Sequence, residues 1–131
     1  MRRRKLLIAD DSEMNRAILA NVLDQEFEVI EATNGQEVII ALQSYGTQIS
    51  ALLLDIVMPE MDGFEVLEEM NRRHWIEDIP TIMISAETSN TYIDRAFELG
   101  ASDYISRPFV PGIVRRRIIN TILLHTKKHQ L

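Results

Sequence analysis

The sequence predicts an α/β fold: a doubly wound, five-stranded parallel sheet of order 2-1-3-4-5 with helices on both faces. Short runs rich in Ile, Leu and Val alternate five times with longer segments in which apolar residues recur at helical spacing. The short runs are almost continuously apolar, which is typical of parallel strands buried on both faces. Five such repeats require right-handed crossovers, which distribute the helices over both faces of the sheet.

Each predicted strand is short and bounded by polar or turn-forming residues. The five strands are predicted at Lys5–Asp10, Glu28–Ala32, Ala51–Asp55, Thr81–Ser85 and Asp103–Ser106. An open sheet of this order is flavodoxin-like, and ligands of such sheets bind beyond the carboxyl ends of the strands, near the point where the strand order reverses. The site is therefore expected where the first and third strands end.

The first four helices are predicted from apolar spacing and from residues typical of helix ends. Ser12 is placed to cap the first helix, and Gly100 lies where the fourth helix is expected to end. The apolar positions of the four helices are, in order, Met14, Ala17, Ile18 and Val22; Val38, Ala41 and Leu42; Phe64, Leu67 and Met70; and Ile93, Ala96 and Phe97.

The fifth helix is predicted to begin near Pro111 and carries more apolar surface than one sheet face usually buries. Its main stripe consists of Val114, Ile118 and Ile122. Ile119 and Leu123 widen that stripe, which indicates a second surface for a partner, such as a homodimer formed through this helix. The helix has no Gly or Pro stop signal, so we expect residues 1–131 to be one domain, the N-terminal part of a longer protein.

Composition narrows the class of protein. The 131 residues are enough for one domain and too few for two. The net charge of −6 argues against direct nucleic-acid binding by the domain. No cysteine is present, which excludes disulfides and thiolate metal sites. No apolar run is long enough for a membrane span, and the apolar run after the basic N-terminus is too short for a signal peptide, so the cytoplasm is the expected location.

Charged and polar residues stand where the strands end. Asp10 and Asp11 end the first strand and Asp55 ends the third, so three carboxylates are expected in one crevice. Such a cluster is costly unless a proton or cation relieves it. Oxygen ligands without His or Cys favour a hard divalent cation, and Mg²⁺ is the first choice.

The fourth and fifth strands add a hydroxyl and a cation to this crevice. Ser85 ends the fourth strand, and Arg107 follows the fifth. A carboxylate can attack a phosphoryl group, and a metal ion, an arginine and a hydroxyl can stabilise the transferred oxygens. Each residue alone is typical of a cap, a turn or a solvated surface, but their coincidence at four strand ends favours phosphate chemistry.

These motifs resemble the receiver domain of two-component response regulators from about Lys5 to Leu124. The matching segments are Leu7-Ile8-Ala9-Asp10-Asp11, Leu54-Asp55-Ile56-Val57-Met58-Pro59-Glu60-Met61-Asp62-Gly63, Ser85-Ala86, Gly100-Ala101-Ser102-Asp103-Tyr104 and Arg107-Pro108-Phe109. The resemblance implies a signalling switch rather than a metabolic enzyme, in which Asp55 takes a phosphoryl group from a phosphohistidine. It implies a sensor histidine kinase or a phosphotransfer protein as partner, and it permits a covalently linked output domain.

The resemblance also implies roles for the surrounding residues. Asp11, Asp55 and the backbone carbonyl of Val57 would bind Mg²⁺ directly, and Asp10 would reach the ion through water. Ser85 and Tyr104 would report phosphorylation to the surface formed by the fourth helix, fifth strand and fifth helix.

Arg107 departs from the family pattern, which usually has lysine at this position. Arginine keeps the charge but presents a planar fork in place of a compact ammonium. This difference motivates one alternative, a receiver-fold interaction module with lost or weakened phosphate control. A second alternative is a Mg²⁺-dependent phosphatase with an aspartyl intermediate. Such enzymes typically place an acid two residues after the nucleophile, where this chain has Val57.

Overall fold

The computed structural model describes residues 3–87 and 89–128. Within these residues five strands alternate with five α-helices, and one 3-10 turn lies at Gly46–Gln48. The strands are β1 (Arg4–Ala9), β2 (Phe27–Ala32), β3 (Ile49–Asp55), β4 (Thr81–Ser85) and β5 (Asp103–Ser106). The helices are α1 (Glu13–Leu23), α2 (Gly35–Tyr45), α3 (Gly63–Arg72), α4 (Asn90–Glu98) and α5 (Pro111–Lys128).

The sheet has the predicted topology. Its order is β2-β1-β3-β4-β5, and all four neighbouring pairs are parallel. The predicted fold class is therefore confirmed, and the bounds of β4 and β5 agree with the prediction to the residue. The other three strands begin one or two residues earlier than predicted, and β1 ends at Ala9, so that Asp10 lies just beyond it.

Two apolar cores lie on opposite faces of the sheet. Along β1, Leu6 and Ile8 belong to the core that α1 and α5 cover, whereas Leu7 and Ala9 belong to the core beneath α2, α3 and α4. Both cores consist of side chains that are almost fully buried. The sheet is thus covered on both faces, as the continuous apolar runs predicted.

The helices begin at side-chain caps that the sequence supplies. The Ser12 hydroxyl accepts a hydrogen bond from a backbone N–H of the first turn of α1, as predicted, and Asn34 does the same for α2. At α3, Asp62 and Glu65 form a reciprocal capping box. Gly100 follows α4 with a φ of 103°, a left-handed conformation that glycine adopts readily. These caps orient the loops that lead out of β1, β2 and β3.

The buried face of α1 differs from the predicted one. The side chains of Leu19 and Leu23 are each 1% exposed, whereas Met14 and Ile18 are 73% and 41% exposed. Ala17 is exposed as well. Two apolar stripes lie side by side on this helix, and only three residues join it to β2. That short connection holds Leu23 against the sheet. Met14, Ala17 and Ile18 of the predicted face point outward, whereas Val22 is partly buried against the core.

Two further helices carry exposed apolar residues. In α4, Ala96 is buried as predicted, but Phe97 is 46% exposed. In α5 the predicted stripe of Val114, Ile118 and Ile122 is buried, and Leu123 is 56% exposed. None of the helices in residues 3–87 and 89–128 is both long and apolar enough to cross a membrane.

Candidate functional site

Three carboxylates meet at the carboxyl edge of the sheet because β1 and β3 are neighbours. Asp10 and Asp11 directly follow β1, and Asp55 is the last residue of β3. One carboxylate oxygen from each residue lies within 4.8 Å of the others. Asp10 and Asp55 are 1% and 3% exposed, whereas Asp11 is open to solvent. The structure therefore brings the predicted acidic cluster together.

Asp10 is held firmly by its surroundings. Its backbone N–H donates to the carbonyl of Ala32 at 3.1 Å, and its Oδ1 accepts from the N–H of Ser12 at 2.8 Å. Its carbonyl accepts from a guanidinium nitrogen of Arg16 at 2.7 Å. Arg16 also pairs with Glu31 at 2.9 Å, so α1 and β2 are both tied to the loop that carries the carboxylates.

Asp55 is positioned by the loop between β3 and α3. Its Oδ1 accepts from the N–H of Val57 at 3.3 Å, and the Val57 side chain is exposed. The N–H of Gly63, at the start of α3, donates to the carbonyl of Ile56 at 2.7 Å. A Cβ at Gly63 would lie 2.4 Å from the carbonyl oxygen of Asp55, so only glycine permits this close approach.

Burial perturbs the ionisation of Asp55. Removal from water raises the pKa of its carboxyl from 3.8 to about 6. The guanidinium of Arg107 opposes this change and lowers the pKa, while the negative charge of Asp10 raises it. A negative charge on a buried carboxylate beside two other carboxylates is unfavourable. Groups with a strongly perturbed pKa are concentrated at functional sites.

Arg107 extends into the acidic cluster from the loop after β5. Its guanidinium forms an ion pair with Asp10, and its Nη1 lies 3.5 Å from Oδ2 of Asp55. The backbone N–H of Arg107 donates to the carbonyl of Ser85 at 2.8 Å, which fixes the loop to the end of β4. The buried Nε makes no hydrogen bond with any described residue. The cluster is therefore partly neutralised by a cation from the chain itself.

The side chains of Ser85 and Tyr104 both form hydrogen bonds with the backbone of Glu87. The fully buried Ser85 hydroxyl accepts from the N–H of Glu87 at 3.1 Å. The Tyr104 hydroxyl donates to the carbonyl of the same residue at 2.6 Å. Burial raises the pKa of the Tyr104 phenol, which therefore stays protonated and able to donate. The two predicted switch residues are thus linked through the loop that leads into α4.

The donor set suits a hard divalent cation. It consists of carboxylate oxygens, one exposed and two buried, with no His or Cys among them. The cluster also carries more negative charge than Arg107 alone can neutralise. The residues present therefore fit the Mg²⁺ that the sequence predicted.

Two contributors to the site were missed by the sequence reasoning. The guanidinium of Arg16 donates a hydrogen bond to the backbone carbonyl of Asp10. The only feature of the sequence that could have indicated this contact is a basic residue early in the helix after the aspartates. Glu87 contacts Ser85 and Tyr104 through its backbone N–H and carbonyl. These contacts do not depend on its residue type, so the sequence could not predict them.

Comparisons with known proteins agree with this geometry. The response regulator receiver domain family matches residues 6–119. Response regulator RR06 of Streptococcus pneumoniae is 40% identical over 114 residues, which cover 86% of this chain and 50% of that protein. Transcriptional regulatory protein SrrA of Staphylococcus aureus is 39% identical over 116 residues, covering 87% of this chain and 46% of that protein. The chain thus spans about half the length of these relatives.

Solved structures share the fold. A CheY-like response regulator receiver domain protein from Methanospirillum hungatei superposes with a TM-score of 0.87 at 23% identity, covering 96% of this chain and 98% of that one. The chemotaxis protein CheY4 of Vibrio cholerae gives a TM-score of 0.83 at 26% identity, covering 91% and 98%. With the family match over most of its length and the acidic cluster in place, this chain belongs to the receiver domain family of two-component response regulators.

Proposed function

We propose that this receiver domain is a phosphorylation-dependent signalling switch with Asp55 as the phosphoacceptor. The observation that carries the proposal is the environment of that carboxylate. It is almost fully buried at the end of β3, with Asp10, Asp11 and Arg107 close to it. An acid in this position can form an acyl phosphate that Arg107 and a divalent cation would stabilise.

The chemical step transfers a phosphoryl group between two nucleophiles. A carboxylate oxygen of Asp55 forms a bond to phosphorus, the phosphorus–nitrogen bond of a phosphohistidine breaks, and the imidazole leaves with the electron pair. Asp10, Asp11, Asp55 and the Val57 carbonyl would hold Mg²⁺, whose charge would stabilise the transferred oxygens. Arg107 supplies a second positive charge from the β5–α5 loop, and the Ser85 hydroxyl can donate to a phosphoryl oxygen.

The partners follow from this role. A sensor histidine kinase or a phosphotransfer protein would supply the phosphohistidine. Because the curated relatives are about twice as long as this chain, we infer that an output domain is covalently linked in the complete regulator. The exposed apolar side chains of α5, among them Leu123 and Leu124, would form a homodimer contact. The domain would assist its own phosphorylation and dephosphorylation without being a metabolic enzyme.

The experiment that tests the proposal is phosphorylation with a small phosphodonor such as acetyl phosphate in the presence of Mg²⁺. Intact mass spectrometry should show one added phosphoryl group on the wild type and none on Asp55→Asn. Asp24→Asn, an exposed position at the end of α1, is the matched control and should accept the group normally. Modification that persists in Asp55→Asn would show that another residue is the acceptor.

One observation favours the alternative of an interaction module with weakened phosphate control. The ion pair between Arg107 and Asp10 relieves part of the repulsion in the cluster without a metal ion. The same assay separates the two functions, because such a module would remain unmodified at concentrations of phosphodonor that saturate a switch.

A further inference from the structure

The first residue of α2 lies in close contact with the β3–α3 loop, residues 56–62. The N–H of Gly35 donates a hydrogen bond to the carbonyl of Met61 at 3.2 Å. A Cβ at Gly35 would lie 2.5 Å from that carbonyl oxygen and 2.7 Å from both Cβ and Cγ of Met61. Gly35 is buried and does not have a positive φ, so the close approach to Met61, and not the backbone conformation, requires glycine at this position.

The first turn of α2 is fixed to the end of β2. The N–H of Glu37 donates to the Asn34 side chain at 2.9 Å. Oε1 of Glu37 accepts from the N–H and the hydroxyl of Thr33 at 2.7 and 2.8 Å, and Thr33 directly follows β2. Because β2 is paired with β1 along its whole length, the start of α2 is held in place by the sheet. A side chain at position 35 would therefore displace the loop rather than the helix.

The β3–α3 loop is restrained along its length, so a displacement at Met61 would reach Asp55. The N–H of Met61 donates to the carbonyl of Pro59 at 2.7 Å. Met58, in the middle of the loop, is 7% exposed and belongs to the core beneath α2, α3 and α4. Near the start of the loop, the N–H of Val57 donates to Oδ1 of Asp55 at 3.3 Å. The contact between α2 and the loop is thus connected to the carboxylate through a short, hydrogen-bonded segment.

We propose that Gly35 is a positioning residue for the phosphorylation of Asp55. Because Gly35 has no side chain, α2 and the β3–α3 loop approach closely enough to place the N–H and the carbonyl of Val57 at the acidic cluster. Gly35 acts through the carbonyl of Met61 and supplies no group to the site itself. The inference rests on the proposed function, in which the Val57 carbonyl helps to hold Mg²⁺ and Asp55 accepts the phosphoryl group.

The expected displacement is large on the scale of phosphoryl transfer. Carbon atoms in favourable contact are separated by about 3.5 Å, so a methyl group at position 35 would move Met61 away by about 1 Å. A misplacement of about 1 Å that starts far from the reacting atoms can reduce a rate by about 100-fold. Since the displacement reaches Asp55 through several residues of the loop, we expect a smaller effect of about ten-fold.

Phosphorylation of three proteins by acetyl phosphate with Mg²⁺ tests the proposal, at a temperature at which circular dichroism shows each protein to be folded. At saturating phosphodonor, the maximal rate of Gly35→Ala should be about ten-fold below that of the wild type. Gly112→Ala is the matched control, because it makes the same substitution at the second residue of α5, where a Cβ would meet no atom within 4 Å. Its rate should equal that of the wild type.

The outcomes separate this inference from the proposed function. A wild-type rate in Gly35→Ala would overturn the positioning role while leaving Asp55 as the acceptor. A wild type that takes up no phosphoryl group would overturn the proposed function, and the positioning role with it.

A second readout distinguishes positioning from a loss of stability. In ¹H–¹⁵N NMR spectra of the metal-free proteins, Gly35→Ala should shift the amide resonance of Val57, whereas Gly112→Ala should leave it in place. A loss of stability alone would not move this resonance in the folded protein. An unshifted Val57 resonance in Gly35→Ala would show that the displacement does not reach the site and would contradict the proposal.

A measurement on the wild type covers the case in which Gly35→Ala fails to fold. When MgCl2 and beryllofluoride, a mimic of the phosphoryl group, are added, the amide resonances of Gly35 and Val57 should shift with the same concentration dependence. The amide of Gly46, at the other end of α2, should not respond. A Gly35 resonance that stays in place while that of Val57 shifts would show that α2 is not coupled to the loop. If Val57 does not respond either, the proposed function fails as well.

Discussion

At the scale of single residues, the site depends on how three carboxylates are compensated. Asp10 is paired with Arg107 and Asp55 lies 3.5 Å from the same guanidinium, whereas Asp11 is exposed and faces the solvent side of the cluster. Asp11 is thus the carboxylate of the cluster best placed to meet an ion that arrives from solution.

Mg²⁺ should stabilise the folded protein through Asp11. A ligand that binds only the folded state raises the melting temperature as its concentration exceeds the dissociation constant. We expect millimolar MgCl2 to raise the melting temperature of the wild type, and Asp11→Asn should lose most of that increase. Differential scanning calorimetry is the measurement. A wild-type melting temperature that does not respond to MgCl2 would contradict the metal site.

The raised pKa of Asp55 predicts an unusual dependence of stability on pH. Its carboxyl binds a proton more tightly in the folded protein, where the pKa is about 6, than in the unfolded chain near 3.8. Between these values the folded state holds more protons, so stability falls as pH rises, by about 3 kcal/mol in total. The side chain of Asp55→Asn cannot ionise, so the free energy of unfolding of this variant should not decrease in this way as the pH rises.

Urea denaturation in chelator, at pH 4.5 and pH 7, tests this expectation. The free energy of unfolding of Asp55→Asn should exceed that of the wild type by more at pH 7 than at pH 4.5. Equal differences at the two pH values would show that burial does not perturb Asp55. Asp24→Asn is again the control, because that position is exposed.

At the scale of secondary-structure elements, α1 shows how neighbouring residues take opposite roles. Leu19 packs in the core between the sheet and α5, while Ile18, at the preceding position of the same helix, is 41% exposed. Since Ile18 lines a cavity together with Arg107 and Pro108, the orientation of α1 also decides which surface lies next to the site.

The rotation of α1 can be tested with two adjacent substitutions. Leu19→Ala should lower the free energy of unfolding by about 3 kcal/mol because it opens a cavity in a closely packed core. Ile18→Ala should cost less than about 1 kcal/mol, since the side chain is 41% exposed and its removal opens no enclosed cavity. Chemical denaturation measures both. A larger loss for Ile18→Ala would restore the face predicted from the sequence.

At the scale of the whole molecule, the acidic cluster and the outer surface are connected through backbone contacts. The β4–α4 loop is joined to Ser85 and Tyr104 by the N–H and carbonyl of Glu87. The β5–α5 loop is joined to β4 by the N–H of Arg107. A change at Asp55 therefore has short covalent and hydrogen-bonded routes to α4 and α5.

Phosphorylation should promote self-association through α5. We expect acetyl phosphate with Mg²⁺ to increase the sedimentation coefficient of the wild type, and Leu123→Asp should prevent the increase while still accepting the phosphoryl group. Ile40→Asp is the control, because Ile40 is 60% exposed on α2, a helix on the opposite face of the sheet. Association that survives in Leu123→Asp would show that the contact lies elsewhere.

The positions of the candidate site residues were predictable where they depend on residue type at the end of a strand. Asp10, Asp11 and Asp55 were found because carboxyl ends of neighbouring parallel strands share one edge of the sheet. Arg107 was found as a cation near the site, but its ion pair with Asp10 was not, because a flexible side chain can select any of several acidic partners. The meeting of Ser85 and Tyr104 at Glu87 was hidden because it uses backbone atoms.

The sequence by itself determined the strand order, the two-sided burial of the sheet and the identity of the acidic residues. These features depend on local periodicity and on the handedness of crossovers, both of which are readable along the chain. The tertiary structure alone decided the buried stripe of α1 and the pairing of Arg107 with Asp10. Local sequence does not distinguish two adjacent apolar stripes on one helix, and it does not show which of several acidic residues an arginine will pair with. Packing and loop length decide both.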